Sequence, residues 1–348
     1  MFITHIWPEQ GRIQVSESVL SVKGKEISGG SKGMVKVRLT MMVAAAILLG
    51  GSLVSWSEAA NTPGQGEAIV TVIPKKGHER VTDITLQDLQ LKINGKETKV
   101  ASWVPMRGAN DDMEMVLLID TSARNSLGQQ LNDIEHFIKS VPANAKFALG
   151  YMDNGQAMLT GPLSADHTLA LSKLHLPGGL PGSSGGPYFA LSDLAHRWPS
   201  NDPRARRIVV MITDGVDIYN PRFDPEDPYI QAAIQDSIRA RLVVYSIYWH
   251  DMGRFDNTQY FQDSGQSLLA ELTQATGGDS FWMGTGEPVS FQPFFEDLSW
   301  RLENQYRLNF YSELKEKPEI RTMNVKVGGA AIKVYAPQQV YVTPALAQ

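Results

Sequence analysis

Two short stretches hold the residues best suited to chemistry. In the first, Asp120-Thr121-Ser122 follows an unbroken apolar run at 115–119. In the second, Thr213-Asp214-Gly215 follows another at 208–212. Runs of this kind suit strands buried on both faces of a parallel sheet. Each delivers an aspartate to a strand's carboxyl end, where open α/β sheets place their ligands. If the two strands are neighbours, Asp120, Asp214 and the Ser122 hydroxyl can share one hard divalent cation, because Mg2+ accepts carboxylates, hydroxyls and waters in an octahedron. The same residues also have plainer uses. An Asp that caps the following helix is worth about 1 kcal/mol, and Asp-Gly favours tight turns.

Arg124 bears on the metal question. Its guanidinium is permanently charged. It either pairs with the two carboxylates in place of a cation, or it points to solvent and leaves the site open. Catalytic readings fare worse. Gly182-Ser183-Ser184-Gly185-Gly186 spells the Gly-x-Ser-x-Gly of a hydrolase elbow, and His250 with Asp214 would complete a triad. That elbow needs a buried strand just before the serine, and the Pro- and Gly-rich residues 177–182 oppose one. No P-loop or dinucleotide fingerprint occurs. The 7 histidines show no His-x-x-x-His spacing, and His136, His167, His175 and His196 read as surface positions.

The elements that must position Asp120 and Asp214 alternate between strand and helix. Leu127, Leu131, Ile134 and Ile138 form one helical stripe after Asp120. Strands are expected at 146–152 and 242–248, with a short antiparallel edge strand at 157–159 and another short strand at 280–283. Helices are expected at 168–174, 188–198, 229–240 and 267–276, the last stopped by Gly277-Gly278. Residues 217–228 read as a loop. Phe291, Phe294, Phe295, Leu298 and Leu302 make a final core-facing stripe. This pattern predicts a doubly wound, mostly parallel sheet flanked by helices over 113–305.

Both flanks read as β. At 67–108 a strand is followed by a hairpin at Asn94-Gly95, which supplies the positive φ of a type I′ turn, with a return strand at 99–104. At 306–343 alternation predicts a strand, then a hairpin of 322–327 and 331–335 about Gly328-Gly329. The two flanks are expected to form one small β domain from both chain ends.

Residues 34–60 have a basic start at Lys36 and Arg38, an apolar middle and a small-residue exit, which describe a signal peptide. The other reading is an uncleaved anchor, since about 18 apolar residues approach the spanning minimum. Residues 1–33 read as an untranslated or disordered extension. The 348 residues carry a formal charge of −5 with no basic block, which argues against nucleic acid. Cysteine is absent, so disulfides, thiolate metal sites and a lipidated cysteine are excluded.

Asp120-Thr-Ser122 and Ile-Thr-Asp214-Gly resemble the von Willebrand factor type A domain and its metal-ion-dependent adhesion site. Residues 81–88 with Asn94-Gly95-Lys96 resemble the bacterial VWFA-related group. The resemblance implies a Rossmann-like fold, export to the periplasm or beyond, and protein binding without catalysis at the carboxyl edge of the sheet. It implies a cation, Mg2+ or else Mn2+ or Ca2+, held by Asp120, Ser122, Asp214 and a middle-loop hydroxyl, for which Ser184 is the substitute here. The family motif carries a second Ser where this chain has Arg124. If Arg124 fills the site, partner binding falls to Arg124, Asp217 and Tyr219, with Trp249 and Phe223 as further aromatic anchors. The rivals are a structural envelope module with a relic site and a serine hydrolase.

Overall fold

A computed structural model describes residues 62–81, 84–178, 185–217, 219–220, 224, 226–250, 258–281, 284, 287–314, 317–329 and 331–345. The expectations for 1–33 and 34–60 lie outside the described residues. The described residues open with β1 (Thr62–Pro74), β2 (Leu89–Ile93), β3 (Lys96–Thr98) and β4 (Val100–Pro105). An alternating run follows: β5 (Met113–Asp120), α1 (Leu131–Ser140), β6 (Lys146–Asp153), β7 (Gln156–Leu159), α2 (Thr168–Lys173) and α3 (Pro187–His196). It continues through β8 (Arg206–Thr213), α4 (Pro228–Arg239), β9 (Leu242–Tyr248), α5 (Gln259–Thr276), β10 (Ser280–Phe281) and α6 (Gln292–Glu303). Four strands end it: β11 (Gln305–Leu314), β12 (Glu319–Val327), β13 (Ile332–Tyr335) and β14 (Gln339–Pro344).

The strands of the alternating run form one six-stranded sheet in the order β10-β9-β8-β5-β6-β7. The first five run parallel, and β7 is an antiparallel edge. Successive side chains of β5 enter opposite cores, as the pleat requires. Met115, Leu117 and Ile119 meet Ile134 and Phe137 of α1 and Phe295 and Leu298 of α6. Val116 and Leu118 join the core of Leu191, Ile234 and Leu268 from α3, α4 and α5. Water is excluded from both faces, which is why β5 and β8 read as unbroken apolar runs. The chain leaves β5 toward β6 on one side and returns to β8 on the other, so the strand order reverses between β5 and β8.

The second sheet has eight strands in the order β3-β2-β12-β14-β1-β11-β4, with β13 added to β1. All its pairings are antiparallel. Lys99 alone separates β3 from β4, the two ends of that order, so one bent strand closes the sheet on itself. Val70, Leu308, Phe310 and Val342 fill its interior. Gly66 is required there, because a Cβ would lie 2.2 Å from Phe310 Cζ. The antiparallel strands thus outnumber the parallel ones, and the β portion is larger than the small domain expected from sequence.

Other local expectations are corrected. The type I′ turn forms, with φ of 48° at Asn94 and 76° at Gly95, but its return strand is broken at Lys99. Among the described residues, β12 and β13 do not pair as a hairpin about Gly328-Gly329. The last four residues of the 13-residue β1 extend past its pairing with β14, and β13 takes that vacant edge, while β12 pairs with β2 and β14. Leu127, Ile134 and Ile138 of the stripe after Asp120 are buried and Leu131 is partly so, but residues 121–130 wind as a 3-10 helix before α1. That segment holds Asn125, Ser126 and Gly128, which are weak helix formers. Helix α5 begins at Gln259, eight residues before the expected start, capped by the Thr258 side chain.

The two sheets are joined at buried Arg206. Its Nη1 donates to Leu302 O at 2.7 Å and to Gln305 Oε1 at 2.6 Å, and its Nη2 pairs with Asp111. Burial lowers the pKa of this guanidinium and the Asp111 charge opposes that shift.

Candidate functional site

The parallel register sets Ile119 opposite Ile212, so the next residues, Asp120 and Thr213, come level at the carboxyl edge. Thr213 Oγ1 donates to Asp120 Oδ2 at 2.7 Å. The other oxygen, Oδ1, accepts from Ser122 N at 2.9 Å and from Ser122 Oγ at 2.7 Å. All three residues are at least 98% buried. A buried carboxylate is costly unless hydrogen-bonded, and here three donors from two strand ends hold it.

Asp214 turns out of the strand and remains buried, its Oδ1 accepting from Val216 N at 2.9 Å. Asp217, expected to meet a partner from the loop at 217–228, is buried instead, and its Oδ1 accepts from Tyr219 N at 2.9 Å. Burial first, then the charges of Asp214 and Asp217, push the Tyr188 phenol well above its ordinary range. Tyr188 therefore keeps its proton and donates it to Gly215 O at 2.8 Å. Two glycines let backbone close on this loop. A Cβ on Gly265, within α5, would lie 2.1 Å from Asp214 O. Gly186 has φ of 109°, and its Cβ would lie 3.0 Å from Asp217 Oδ1.

The structure therefore gathers Asp120 and Ser122 with Thr213, which sequence reasoning had passed over, and sets Asp214 and Asp217 in the adjoining turn. Ser184, Phe223 and the Arg124 side chain lie outside the described residues. Trp249 is not an anchor: it is 2% exposed and packs edge-on against Phe291 in the core. Tyr219, by contrast, is 60% exposed. Its ring centroid lies 5.5 Å from that of Phe189 and 6.4 Å from that of Tyr229, forming an aromatic cluster beside the acidic turn. Phe189 and Tyr229 were also missed. The only sequence signal was Pro228 opening a helix, which places Tyr229 in its first turn.

Among the described residues, no group of three or more His, Asp or Glu is placed to hold a metal. A cation at this edge would rest on Asp120, Ser122 and Asp214, with the Thr213 hydroxyl at hand. Every one of these donors is a hard oxygen, a chemistry that fits Mg2+ or Ca2+.

In strand order and in its two strand-end motifs the α/β unit resembles a von Willebrand factor type A domain. Solved structures similar to the chain include an aerotolerance-related membrane protein of Bacteroides fragilis, at 15% identity and a TM-score of 0.39 over 55% of this chain and 98% of that one. BatB of Bacteroides thetaiotaomicron is similar at 14% identity and a TM-score of 0.38, over 55% and 97%. The SpRpn10 VWA domain is similar at 14% identity and a TM-score of 0.28, over 47% and 94%. No protein-family model and no curated protein sequence matches the chain. No helix among the described residues is long and apolar enough to cross a membrane.

Proposed function

We propose that the chain is an exported, non-catalytic protein-binding module whose contact surface is the carboxyl edge of a doubly wound sheet, centred on β5 and β8. The observation that carries this reading is the meeting of Asp120, Ser122 and Thr213 where the strand order reverses, beside the exposed Tyr219. Ligands in open α/β sheets bind at such a reversal, and exposed tyrosines are frequent anchors of protein interfaces. A signal peptide at 34–60 would deliver the module to the periplasm or outside the cell.

The metal site of this reading is a degenerate one. Arg124 stands in the sequence where the motif has its second serine, and its guanidinium is the alternative to a bound cation. Where a divalent cation does bind, Asp120, Ser122 and Asp214 hold it, and it would offer a free position to a partner's carboxylate. Thermal unfolding with Mg2+ and with a chelator separates the two cases. The expected result is no shift for the wild-type chain and a magnesium-dependent rise for Arg124→Ser. A rise in the wild type that Asp120→Ala abolishes overturns the guanidinium reading in favour of a native metal site. For the binding function itself, the partner recovered from an envelope extract should be lost with Tyr219→Ala at unchanged melting temperature. Partners retained by both Tyr219→Ala and Asp120→Ala would exclude this edge as the contact surface.

A further inference from the structure

We propose that the outer face of the closed sheet carries a binding cleft for a neutral saccharide. The cleft has a volume of about 340 Å³ and lies between β14, β1, β11 and β4 and the end of α4. That size is at the lower end for small-molecule sites. Its rows follow from register. Gln65 on β1 sits between Thr343 and Tyr311. One row along, Glu67 faces Asn309, and Asn309 faces Ser102. These residues alternate with the interior ones, so all their side chains share the outer face.

The polar groups select the ligand class. Two amides, two hydroxyls, a carboxylate and the Arg241 guanidinium bring donors and acceptors together in one small space. Glu67 lies 3.5 Å from Arg241 Nη1 and 3.4 Å from Arg307 Nε. A carboxylate in the floor disfavours an anionic ligand, and two guanidiniums beside it disfavour a cationic one. A polyol offers a donor and an acceptor at every hydroxyl and suits both. Tyr311, 57% exposed, supplies an aromatic face at the rim. Tyr341, packed on its other side against the core under α4, makes the opposite wall. An aromatic face flanked by planar hydrogen-bonding side chains complements a sugar ring, which has an apolar C–H face and a polar edge.

Arg241 gives independent support. Its φ is 57°, and it is the only described residue other than glycine or asparagine with positive φ. It follows the C-cap of α4, where glycine is the favoured residue. A strained arginine in a glycine position, with its side chain on the cleft, points to use of that side chain.

The test is binding of the full chain to an array of neutral glucose-, mannose-, galactose- and N-acetylglucosamine-based oligosaccharides, with calorimetry on any ligand found. Tyr311→Ala is expected to weaken binding by about tenfold. Arg241→Gly should also weaken it while the melting temperature holds or rises, which a purely structural arginine would not produce. Failure of every neutral glycan to bind, binding indifferent to Tyr311→Ala, or displacement of the glycan by sulfate overturns the proposal.

Discussion

Thr213 Oγ1 and Asp120 Oδ2, 2.7 Å apart, bind the ends of two neighbouring parallel strands to each other. This contact supports the buried carboxylate from β8 while Ser122 supports it from its own chain segment. Thr213→Val keeps the shape and removes the donor. A hydrogen bond to a charged group is worth about 1.5–3 kcal/mol, so urea denaturation should show a loss in that range. Thr213→Ser should recover most of it.

Gly265→Ala distinguishes helix propensity from packing by sign. In an exposed helix the change stabilises by about 1 kcal/mol. Here the new methyl would lie 2.1 Å from the carbonyl of Asp214, and overpacking costs about 1–3 kcal/mol. The variant should have a lower urea midpoint than the wild type. A higher midpoint would mean that α5 does not press on the Asp214 turn.

Arg206 offers a test of how the two sheets are joined. Its fork serves Leu302 O, Gln305 Oε1 and Asp111 at once. Removing one member of a buried pair costs about 3–5 kcal/mol, so Arg206→Met should unfold at much lower urea. Arg206→Lys should rescue little, because one ammonium cannot reproduce the planar fork.

Acid sensitivity should have one identifiable source in Asp193. Burial is the largest single influence on this carboxyl and acts upward. The bonds from Arg197, with Nε at 2.6 Å, and from Ala157 N at 2.9 Å outweigh it and hold the pKa below its ordinary value. A depressed folded value gives stability that is present above the unfolded pKa of roughly 3.9 and is lost as pH falls through the folded one. Asp193→Asn should therefore narrow the difference between urea midpoints at neutral pH and in acid. An unchanged difference would remove Asp193 as a source.

Much of the α/β unit was legible because double-sided burial leaves an unmistakable apolar run, as in β5 and β8. The type I′ turn was legible because Asn94-Gly95 has few other uses. Thr213 was not, since a β-branched residue ending a strand reads as strand, and its hydroxyl gains meaning only from the register with Asp120. The length of α5 was hidden by Gly265, a helix breaker on its own but a necessity against Asp214 O. Trp249 and Asp217 were placed on the surface because both follow a strand end, and burial there depends on what packs above. The β12–β13 hairpin failed because pairing was decided by the vacant edge of β1, far away in sequence.

Strand β1 also has to wait for β14. Gly64, Gln65 and Gly66 lie opposite Pro344, Thr343 and Val342, so the ring of strands cannot seal until synthesis has passed Pro344. Such wiring delays maturation of a nascent chain and favours an all-or-none final step, in which removing β1 or β14 would leave unsatisfied edges and invite aggregation.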